Sequence, residues 1–345
     1  MRKKLWILGL AVLVLCFQGC GSPEKPVVET QPPVTLETPV IAEATEPETL
    51  PETEPATEPA VQPTESASLR LEAKAGNIVE LDAGYSVVAV LRTDGTVAVA
   101  DAYSGEAAEI YDWTDIVQIS VGGYAVVGLR ADGTVVASGE EYSGADQVTG
   151  WTDIVAVECC PGRILGIRSD GTVVSTDPND AVSDWTEIVA VSASVDGIVY
   201  GVKADGTVVR TVPEYDRGVY DVSAWTGVVD ISAGWTDLAA MKADGTAYVS
   251  YPWWKDVFGN PEMEVDYSGW YDIQKLDGMS EVLGLRADGT VVAAGPNEAG
   301  CGDVEDWCDI VDIAAGEYFS VGLKSDGTII GTSEAYNCNF ASLCG

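Results

Sequence analysis

Residues 113–139 read WTDIVQISVGGYAVVGLRADGTVVASG, and this unit recurs along most of the 345-residue chain. Its Asp-Gly-Thr triplet occurs seven times, starting at Asp94, Asp132, Asp170, Asp205, Asp244, Asp288 and Asp326. A Trp stands 18 to 20 residues ahead of the triplet in six copies: Trp113, Trp151, Trp185, Trp225, Trp270 and Trp307. A repeat of about 40 residues with strand-like content is typical of a propeller or an array of sheets.

Each unit contains several short strand patterns. The β-branched run Ile116–Ile119 predicts a strand buried on both faces, and Val126–Arg130 predicts a second strand. Thr134–Ala137 predicts a third strand, joined to the second by a tight hairpin because Asp-Gly lies between two apolar runs. The weaker segment Asp146–Trp151 predicts a fourth, outermost strand. Four strands of about five residues, with their turns, fill a repeat of this length.

Two columns of the repeat agree closely between copies. Four residues before the triplet Asp stands a Gly in five copies, which predicts that a neighbouring backbone comes very close: Gly128, Gly166, Gly201, Gly284 and Gly322. Two residues before the Asp stands a cation in every copy: Arg92, Arg130, Arg168, Lys203, Lys242, Arg286 and Lys324. We expect these cations to point outward and to be solvated or paired with acids such as Asp115, Asp153 and Glu187. The first copy departs most, with Ala75 in place of Trp and Val90 in place of Gly.

The pattern resembles the regulator-of-chromosome-condensation repeat family in its short bacterial form. The resemblance covers roughly residues 77–344, through W-x-D-I-V and G-L-R/K-x-D-G-T-V. It implies a seven-bladed propeller, and it also implies guanine-nucleotide exchange on a small GTPase as one function. Family members commonly carry a His seven residues before the triplet Asp, whereas this chain has no His. Nothing that depends on that His carries over.

We therefore predict an all-β fold, a seven-bladed β-propeller with four-stranded blades over residues 68–345. One unit cannot bury its own apolar faces, but neighbouring units in a closed ring can. Two segments compete to close the ring. Ser68–Glu72 can add a strand to the last blade, and Asn339–Leu343 can fill the same place.

The N-terminal segments predict export and a lipid anchor. Arg2, Lys3 and Lys4 precede an apolar run of 13 residues that is too short to span a bilayer and is typical of a signal peptide. Cys20 follows a small residue, as in bacterial lipoproteins, so we predict that residues 1–19 are removed and that Cys20 is lipidated. An ordinary signal peptide with an incidental Cys is the alternative.

Residues 20–67 are predicted to be a disordered stalk. They hold ten of the sixteen prolines and ten Glu against one Lys, and they contain no aromatic residue. Such a segment cannot bury enough apolar surface to offset its conformational entropy. The predicted location is extracytoplasmic, and the predicted attachment to the bacterial membrane or cell surface is through the lipid alone.

Charge and composition exclude several function classes. Residues 68–345 hold 45 acidic and 14 basic residues, which argues against nucleic-acid binding. Without His there is no Ser-His or Cys-His nucleophile pair and no His-ligated metal site. Six cysteines beyond residue 20 lack the spacing of a zinc site, and their pairing stays open: Cys159, Cys160, Cys301, Cys308, Cys338 and Cys344. We predict no catalytic residue, no metal and no cofactor.

One stretch, Tyr251–Tyr267, interrupts the repeat. It places Tyr251, Trp253, Trp254 and Phe258 in an apparent loop, and Tyr215 and Tyr220 form a smaller aromatic insertion upstream. Loops on rigid scaffolds often carry function, and aromatic side chains dominate interface energetics. These six residues are our candidate binding residues. The alternative is that the rings cap a blade edge or plug the axial channel.

The predicted function is that of a monomeric, non-catalytic binding or scaffold lipoprotein with a protein or glycan partner. Guanine-nucleotide exchange is one alternative, which export disfavours because such partners are cytoplasmic. The other is an extracytoplasmic glycan hydrolase that uses a pair of acids.

Overall fold

The computed structural model describes residues 77–102, 107–110, 112–139, 144–212, 221–235, 238–250, 270–295, 297, 300–332 and 343. The predicted signal peptide, Cys20 and the predicted stalk lie outside these residues. So do Ser68–Glu72 and, apart from Leu343, the competing C-terminal segment.

Seven antiparallel sheets follow one another along the chain. The first comprises β1 (Ile78–Ala83), β2 (Val87–Arg92), β3 (Val97–Asp101) and β4 (Ala107–Glu109). The second comprises β5 (Ile116–Gly122), β6 (Ala125–Arg130) and β7 (Val135–Ser138), and the third β8 (Ile154–Cys160), β9 (Arg163–Arg168) and β10 (Val173–Ser175). The fourth comprises β11 (Ile188–Ala193), β12 (Val199–Lys203) and β13 (Val208–Arg210), and the fifth β14 (Val228–Ala233), β15 (Leu238–Lys242) and β16 (Ala247–Ser250). The sixth comprises β17 (Ile273–Gly278), β18 (Val282–Arg286) and β19 (Val291–Ala294), and the seventh β20 (Ile310–Ala315), β21 (Ser320–Lys324) and β22 (Ile329–Gly331).

The first strands of the seven sheets stand side by side and close a ring. Each contacts the first strand of the next sheet, and β20 of the last sheet contacts β1 of the first. At this seam the Leu81 N–H donates to Asp312 Oδ2 over 3.0 Å. Phe319 and Leu343 are buried there in one apolar core with Leu81. The chain is therefore an all-β, seven-bladed propeller, as predicted, and its C-terminal segment contributes Leu343 to the seam.

Apolar side chains fill each of the seven gaps between neighbouring sheets. Between the first two sheets, for example, Leu91 and Val97 pack against Ile119 and Val121. Equivalent clusters fill the other six gaps. Since every sheet buries both faces against neighbours, hydrophobic burial is shared around the whole ring.

The predicted fourth strand at Asp146–Trp151 is wrong. Ala145–Gln147 is instead a short 3-10 helix that follows Gly144, whose φ is 79°. Gly150, with a φ of 90°, ends the segment in a second left-handed residue, and a strand does not continue through such positions. Among the described residues only the first sheet has a fourth strand, β4, and the other six have three strands each.

A β-bulge interrupts the first strand of all seven sheets. Between Ile116 and Gln118 two residues oppose one on β6, so Val117 turns outward and is 51% exposed. The prediction that Ile116–Ile119 is buried on both faces is wrong at this position. The equivalent valines of the next three sheets are exposed in the same way: Val155, Val189 and Val229.

The Asp-Gly-Thr triplet forms the hairpin between the second and third strands, as predicted. Gly133 adopts a φ of 81°, and its N–H donates to the Arg130 carbonyl over 2.9 Å. Asp132 Oδ1 accepts the backbone N–H and the hydroxyl of Thr134 over 2.9 and 2.6 Å. The Gly133 carbonyl also accepts the N–H of Ile154, the first residue of β8 in the next sheet, over 3.1 Å. The triplet therefore both closes a hairpin and links two blades.

The Gly column has a different cause from the one predicted. A Cβ placed on Gly128 lies 2.9 Å from Cζ3 of Trp113, so the close neighbour is the Trp ring of the same unit and not a backbone. The same pairing joins Gly166 with Trp151, and it recurs at Gly201, Gly284 and Gly322. In the fifth copy, where Ala240 replaces Gly, Trp225 stacks on Tyr248 with centroids 5.0 Å apart.

Two of the seven outward cations, Arg92 and Arg286, have partners within their own repeat units. Arg92 donates to both carboxylate oxygens of Glu109, over 2.7 and 2.9 Å. The guanidinium of Arg286 lies 4.9 Å from the centroid of the Tyr271 ring. Neither partner is one of the acids that we named from the sequence.

Candidate binding site at the axis of the ring

The seven first strands line an axial cavity of about 190 Å3. Side chains alternate along a strand, so the third and fifth residues of a first strand can face the channel while the fourth packs between blades. Nine of these residues line the cavity: Glu80, Asp82, Gln118, Ser120, Glu158, Asp230, Ser232, Lys275 and Asp277. We call the third-position residues the inner tier: Glu80, Gln118, Ala156, Ala190, Asp230, Lys275 and Asp312. The fifth-position residues form the outer tier: Asp82, Ser120, Glu158, Ser192, Ser232, Asp277 and Ala314.

Many tier residues bond the backbone of the next blade. A first strand is the edge of its sheet, so its channel-side N–H groups have no strand to pair with. Side chains of the preceding sheet accept them: Glu80 from Ile119, Asp82 from Val121, Gln118 from Val157, Ser120 from Cys159, Ser192 from Ala233, Asp277 from Ala315 and Asp312 from Leu81. These bonds are 2.7 to 3.1 Å long. The polar tiers thus join the blades around the axis.

The two tiers also concentrate carboxyl groups. Among the described residues they hold six carboxyl groups and one amine: those of Glu80, Asp82, Glu158, Asp230, Asp277 and Asp312, and that of Lys275. The Nζ of Lys275 donates to Asp312 Oδ1 over 2.7 Å. Burial tends to lower the pKa of Lys275, but Asp312, Asp277 and Asp82 raise it above its ordinary value. Lys275 therefore stays charged and compensates part of the carboxylate charge.

The pKa values of three outer-tier carboxyl groups are raised above their ordinary range. Burial, together with the charge of Asp277, raises the pKa of Asp82 from 3.8 to about 8. Burial and then Asp82 raise the pKa of Glu158 well above its ordinary value, and burial also raises that of Asp277. The described side-chain partner of Glu158 is the Ser192 hydroxyl at 3.5 Å. Unlike Asp82 and Asp277, Glu158 is therefore not seen to accept a backbone N–H.

Aromatic side chains gather at one end of the channel. Tyr85, Tyr124 and Trp235, which we call the aromatic mouth, lie in the loops that follow the first strands of the first, second and fifth sheets. The Tyr85 ring centroid lies 5.2 Å from that of Tyr124 and 5.9 Å from that of Trp235, in edge-to-face arrangements. Tyr124 is 51% exposed and Trp235 is 40% exposed.

The position of the aromatic mouth follows from the ring. Since the first and fifth sheets are not neighbours, Tyr85 and Trp235 meet only by reaching over the loops of the sheets between them. Backbone bonds hold both: the Trp235 N–H donates to the Met279 carbonyl over 2.8 Å, and the Tyr85 N–H to the Gly123 carbonyl over 2.9 Å. The outer-tier residues stand only two or three positions before these loops in the sequence. Asp82, for example, is three residues before Tyr85. The exposed rings and the outer carboxyls therefore lie at the same end of the channel.

The structure does not test our predicted binding residues. Tyr251, Trp253, Trp254, Phe258, Tyr215 and Tyr220 fall outside the described residues. The site seen in the structure was missed from the sequence, although two signals point to it. An aromatic residue follows Gly84, Gly123 and Gly234 directly after a first strand, and acids interrupt the apolar pattern at the third and fifth positions.

Four cysteines lie within the described residues, and no two of them form a disulfide bond with each other. Cys159, Cys160 and Cys301 are buried, and Cys308 is exposed. Burial raises the pKa of Cys301 to about 12, with a further contribution from Glu281. These three buried thiols therefore behave as core residues, while Cys338 and Cys344 lie outside the described part of the chain.

Among the described residues, no three acids or cysteines stand close enough together to hold one metal ion. The same part of the chain contains no helix with the length and apolar character needed to cross a membrane.

No protein-family model and no curated protein matches the sequence. Among solved structures, the chain is similar to the CRINKLY WD40 ectodomain of the Arabidopsis thaliana receptor kinase ACR4, at 15% identity and a TM-score of 0.50, over 74% of this chain and 97% of that one. The ectodomain of the Physcomitrella patens receptor kinase CR4 matches at the same identity and TM-score, over 74% and 72%. Prp20p from Saccharomyces cerevisiae matches at 16% identity and a TM-score of 0.40, over 74% and 68%. At these identities the two plant structures support the propeller fold alone.

Proposed function

We propose that the protein is a non-catalytic, extracytoplasmic binding lipoprotein that presents its propeller to a protein or glycan partner. The observation that carries this proposal is the aromatic mouth. Rings of three different blades stand together and partly exposed at one end of the closed ring. Partly exposed Tyr and Trp side chains combine large contact area with a polar group, so they serve as anchors at interfaces.

The rigidity of the scaffold also supports a binding role. Each first strand bonds its neighbours through backbone and tier side chains, so the loops that bear the rings start from fixed points. A ligand that meets a preformed surface loses less ordering entropy than one that must organise a loop. The proposed partner surface is therefore this end of the ring.

The first experiment asks whether the protein binds and whether it turns its ligand over. The purified full chain is used to capture material from native envelope and matrix fractions, and the same preparation is incubated with glycans from those fractions. We expect saturable capture of a protein or glycan with no product formed. Turnover of a glycan would replace the binding proposal with hydrolysis, and a lack of capture would refute the binding role.

One observation favours hydrolysis as a second candidate. Glu158 has a raised pKa, lies in the channel wall and is not seen to bond backbone, which are properties of a general acid. If hydrolysis is the function, Glu158→Gln abolishes turnover and leaves capture intact. Guanine-nucleotide exchange stays an implication of the family resemblance, and a cytoplasmic location would favour it.

The proposed anchor is tested separately. Cys20→Ala is expected to release the protein from bacterial membranes or to block its processing, because the lipid would be attached to that thiol. Cys16→Ala, which removes a thiol within the apolar run and leaves the predicted processing site intact, serves as the control. A Cys20→Ala protein that still fractionates with membranes as the unmodified chain does would refute the lipid anchor.

A further inference from the structure

The rings of the aromatic mouth are held in place while part of their surface stays open. Tyr85 packs against the core cluster that contains Met279, and its ring meets those of Tyr124 and Trp235 at interplanar angles of 78° and 64°. Burial, followed by Glu317 and Tyr124, raises the pKa of Tyr85, and a hydrogen bond from the Trp235 side chain opposes that rise. Because edge-to-face contacts hide less ring surface than stacked ones, Tyr124 and Trp235 offer a ligand partly exposed rings that are already positioned.

The exposed apolar surface at this end of the ring is aromatic. In the described loops between first and second strands, the large apolar side chains that are exposed belong to Tyr124, Trp235 and Tyr318. A protein partner typically needs about 800 Å2 of contact on each side, with an apolar core. Separate rings around a polar opening offer little such core. Each ring does match the apolar C–H face of one pyranose unit, which packs flat on an aromatic side chain.

The channel wall just below the rings offers hydroxyl groups. Ser120 and Ser232 line the cavity in the outer tier, a few positions before Tyr124 and Trp235 in the sequence. Ser120 Oγ accepts the Cys159 N–H over 3.0 Å, which leaves its hydroxyl hydrogen for another acceptor. Ser232 is only 9% exposed, and its hydroxyl makes no hydrogen bond to the described part of the chain. A buried hydroxyl that lines a cavity without a protein partner points to a polar group that binds there.

The charge of this region favours an uncharged ligand. The raised pKa values of Asp82 and Glu158 keep both carboxyl groups largely protonated at neutral pH, and a protonated carboxyl group donates as well as accepts. The hydroxyl groups of a sugar do the same, so the wall and the ligand pair without a charge on either. An anionic ligand would instead approach Glu317 beside Tyr85, on a domain whose residues 68–345 hold 45 acidic and 14 basic side chains.

We propose that the aromatic mouth binds an uncharged polysaccharide, with one sugar unit packed on Trp235, another on Tyr124, and their hydroxyl groups bonded to Ser232 and Ser120 at the top of the channel. Both rings contact Tyr85, so they are close enough to hold nearby units of one sugar chain. This inference rests on the proposed function and deepens it, because it names an uncharged glycan, and not a protein, as the partner of the mouth.

The first test is calorimetry on the purified full chain with defined sugar probes. Cellohexaose, maltohexaose, mannohexaose and chitohexaose are uncharged, whereas hexagalacturonate has the same number of sugar units and a carboxylate on each. We expect at least one uncharged hexasaccharide to bind at least tenfold more tightly than hexagalacturonate, because the acidic domain repels the carboxylates. Absence of binding by every uncharged probe, or binding of hexagalacturonate that is equally tight or tighter, would overturn the proposal.

Two variants, each with a matched control, locate the site. Tyr124→Leu removes a ring that is 51% exposed at the mouth, and Tyr271→Leu removes one that is 53% exposed near the opposite end of its sheet. Ser232→Ala removes the hydroxyl in the channel, and Ser169→Ala removes an exposed hydroxyl from the hairpin after β9. We expect Tyr124→Leu to weaken binding of the tightest hexasaccharide about tenfold and Ser232→Ala severalfold, while both controls leave it unchanged. Equal affinities of the mouth variants and their controls would refute the site.

A third measurement separates failure of this inference from failure of the proposed function. The full chain is offered envelope and matrix fractions that are untreated, digested with protease, or oxidised with periodate, which cleaves sugar diols. We expect capture to survive protease and to be lost after periodate. Capture that is lost with protease and kept after periodate would refute the glycan inference and leave protein binding as the function. Absence of capture from all three fractions would refute the proposed function itself, and this inference with it.

Discussion

At the scale of single residues, the Gly and Trp positions of each repeat unit pack against each other. Gly128 leaves room for the Trp113 ring, whose Cζ3 would lie 2.9 Å from an added Cβ. The first copy has Val90 and Ala75 at the corresponding places, so it lacks both members of the pair. Beside the ring the position holds only a small side chain, Gly in five copies and Ala240 in the fifth, whereas the first copy, without the Trp, has a larger one.

This pairing predicts a strong coupling between two substitutions. Gly128→Val alone overpacks the gap and is expected to cost ~1–3 kcal/mol, whereas Trp113→Ala alone leaves a cavity and is expected to cost ~3–5 kcal/mol. In the double variant the Val side chain fills part of the cavity, so its cost is smaller than the sum by about 1 kcal/mol or more. Urea unfolding of the four proteins measures this, and strictly additive costs would contradict the pairing.

Asp82 makes a second prediction at this scale. Its pKa is 3.8 when unperturbed and about 8 in the folded protein, so between these values the folded state binds the extra proton. Stability therefore falls as pH rises from about 4 to about 8, and Glu158 and Asp277 act in the same direction. Lys275, which also faces these carboxyls, keeps its charge over this range because its pKa is raised above its ordinary value.

We expect the melting temperature to be several degrees higher at about pH 5 than at about pH 8.5. Asp82→Asn cannot ionise, so it is expected to flatten part of this dependence even though it loses one backbone acceptor. Thermal unfolding across this pH range provides the measurement. A melting temperature that rises between these two pH values would show that Asp82 is ionised in the folded protein.

At the scale of elements, alternate residues of each first strand have two different roles. Their apolar residues fill the gaps between blades, and their polar residues reach the next first strand. Gln118 links two first strands through two hydrogen bonds. It accepts the Val157 N–H over 3.1 Å and donates to the Val157 carbonyl over 3.0 Å. The side-chain amide of Gln118 thereby makes the two backbone hydrogen bonds to Val157 that a neighbouring strand would otherwise make.

We expect Gln118→Leu to cost ~1–3 kcal/mol, because it leaves the backbone groups of Val157 without their partner. Gln274→Leu is the matched control, since Gln274 is exposed on the equivalent strand β17. Its replacement is expected to change stability little. Urea unfolding of both variants measures the two losses of stability. Equal losses would mean that the hydrogen bonds of the Gln118 side chain do not join the blades.

Much of this element structure was predictable from the sequence, because it repeats. Seven triplets with apolar runs beside them indicate seven sheets, and the Asp132-Gly133 hairpin forms as expected. The fourth strand and the buried run around Val117 were predicted wrongly, since left-handed glycines and a bulge depend on local backbone geometry that strand propensity does not encode. The aromatic mouth was missed because Tyr85 and Trp235 are 150 positions apart in the sequence and meet only when the ring closes.

At the scale of the whole molecule, the two ends of the ring differ in chemistry. One end presents the aromatic mouth above the outer tier of carboxyls. The first strands begin near the other end, where four successive sheets expose the bulged valines Val117, Val155, Val189 and Val229. A partner that recognises the aromatic end therefore meets a surface quite unlike the opposite one, and variants of the two ends can be compared within one assay.

The most direct test of the binding role compares partner capture by variants of the two ends. Tyr124→Ser with Trp235→Leu removes two exposed rings, and Val155→Ser with Val189→Ser removes two exposed valines from the opposite end. We predict that the first pair abolishes capture from native envelope fractions while the second pair retains it, with melting temperatures measured on the same preparations to show that both proteins are folded. Capture that survives loss of both rings and fails with loss of the valines would contradict the account.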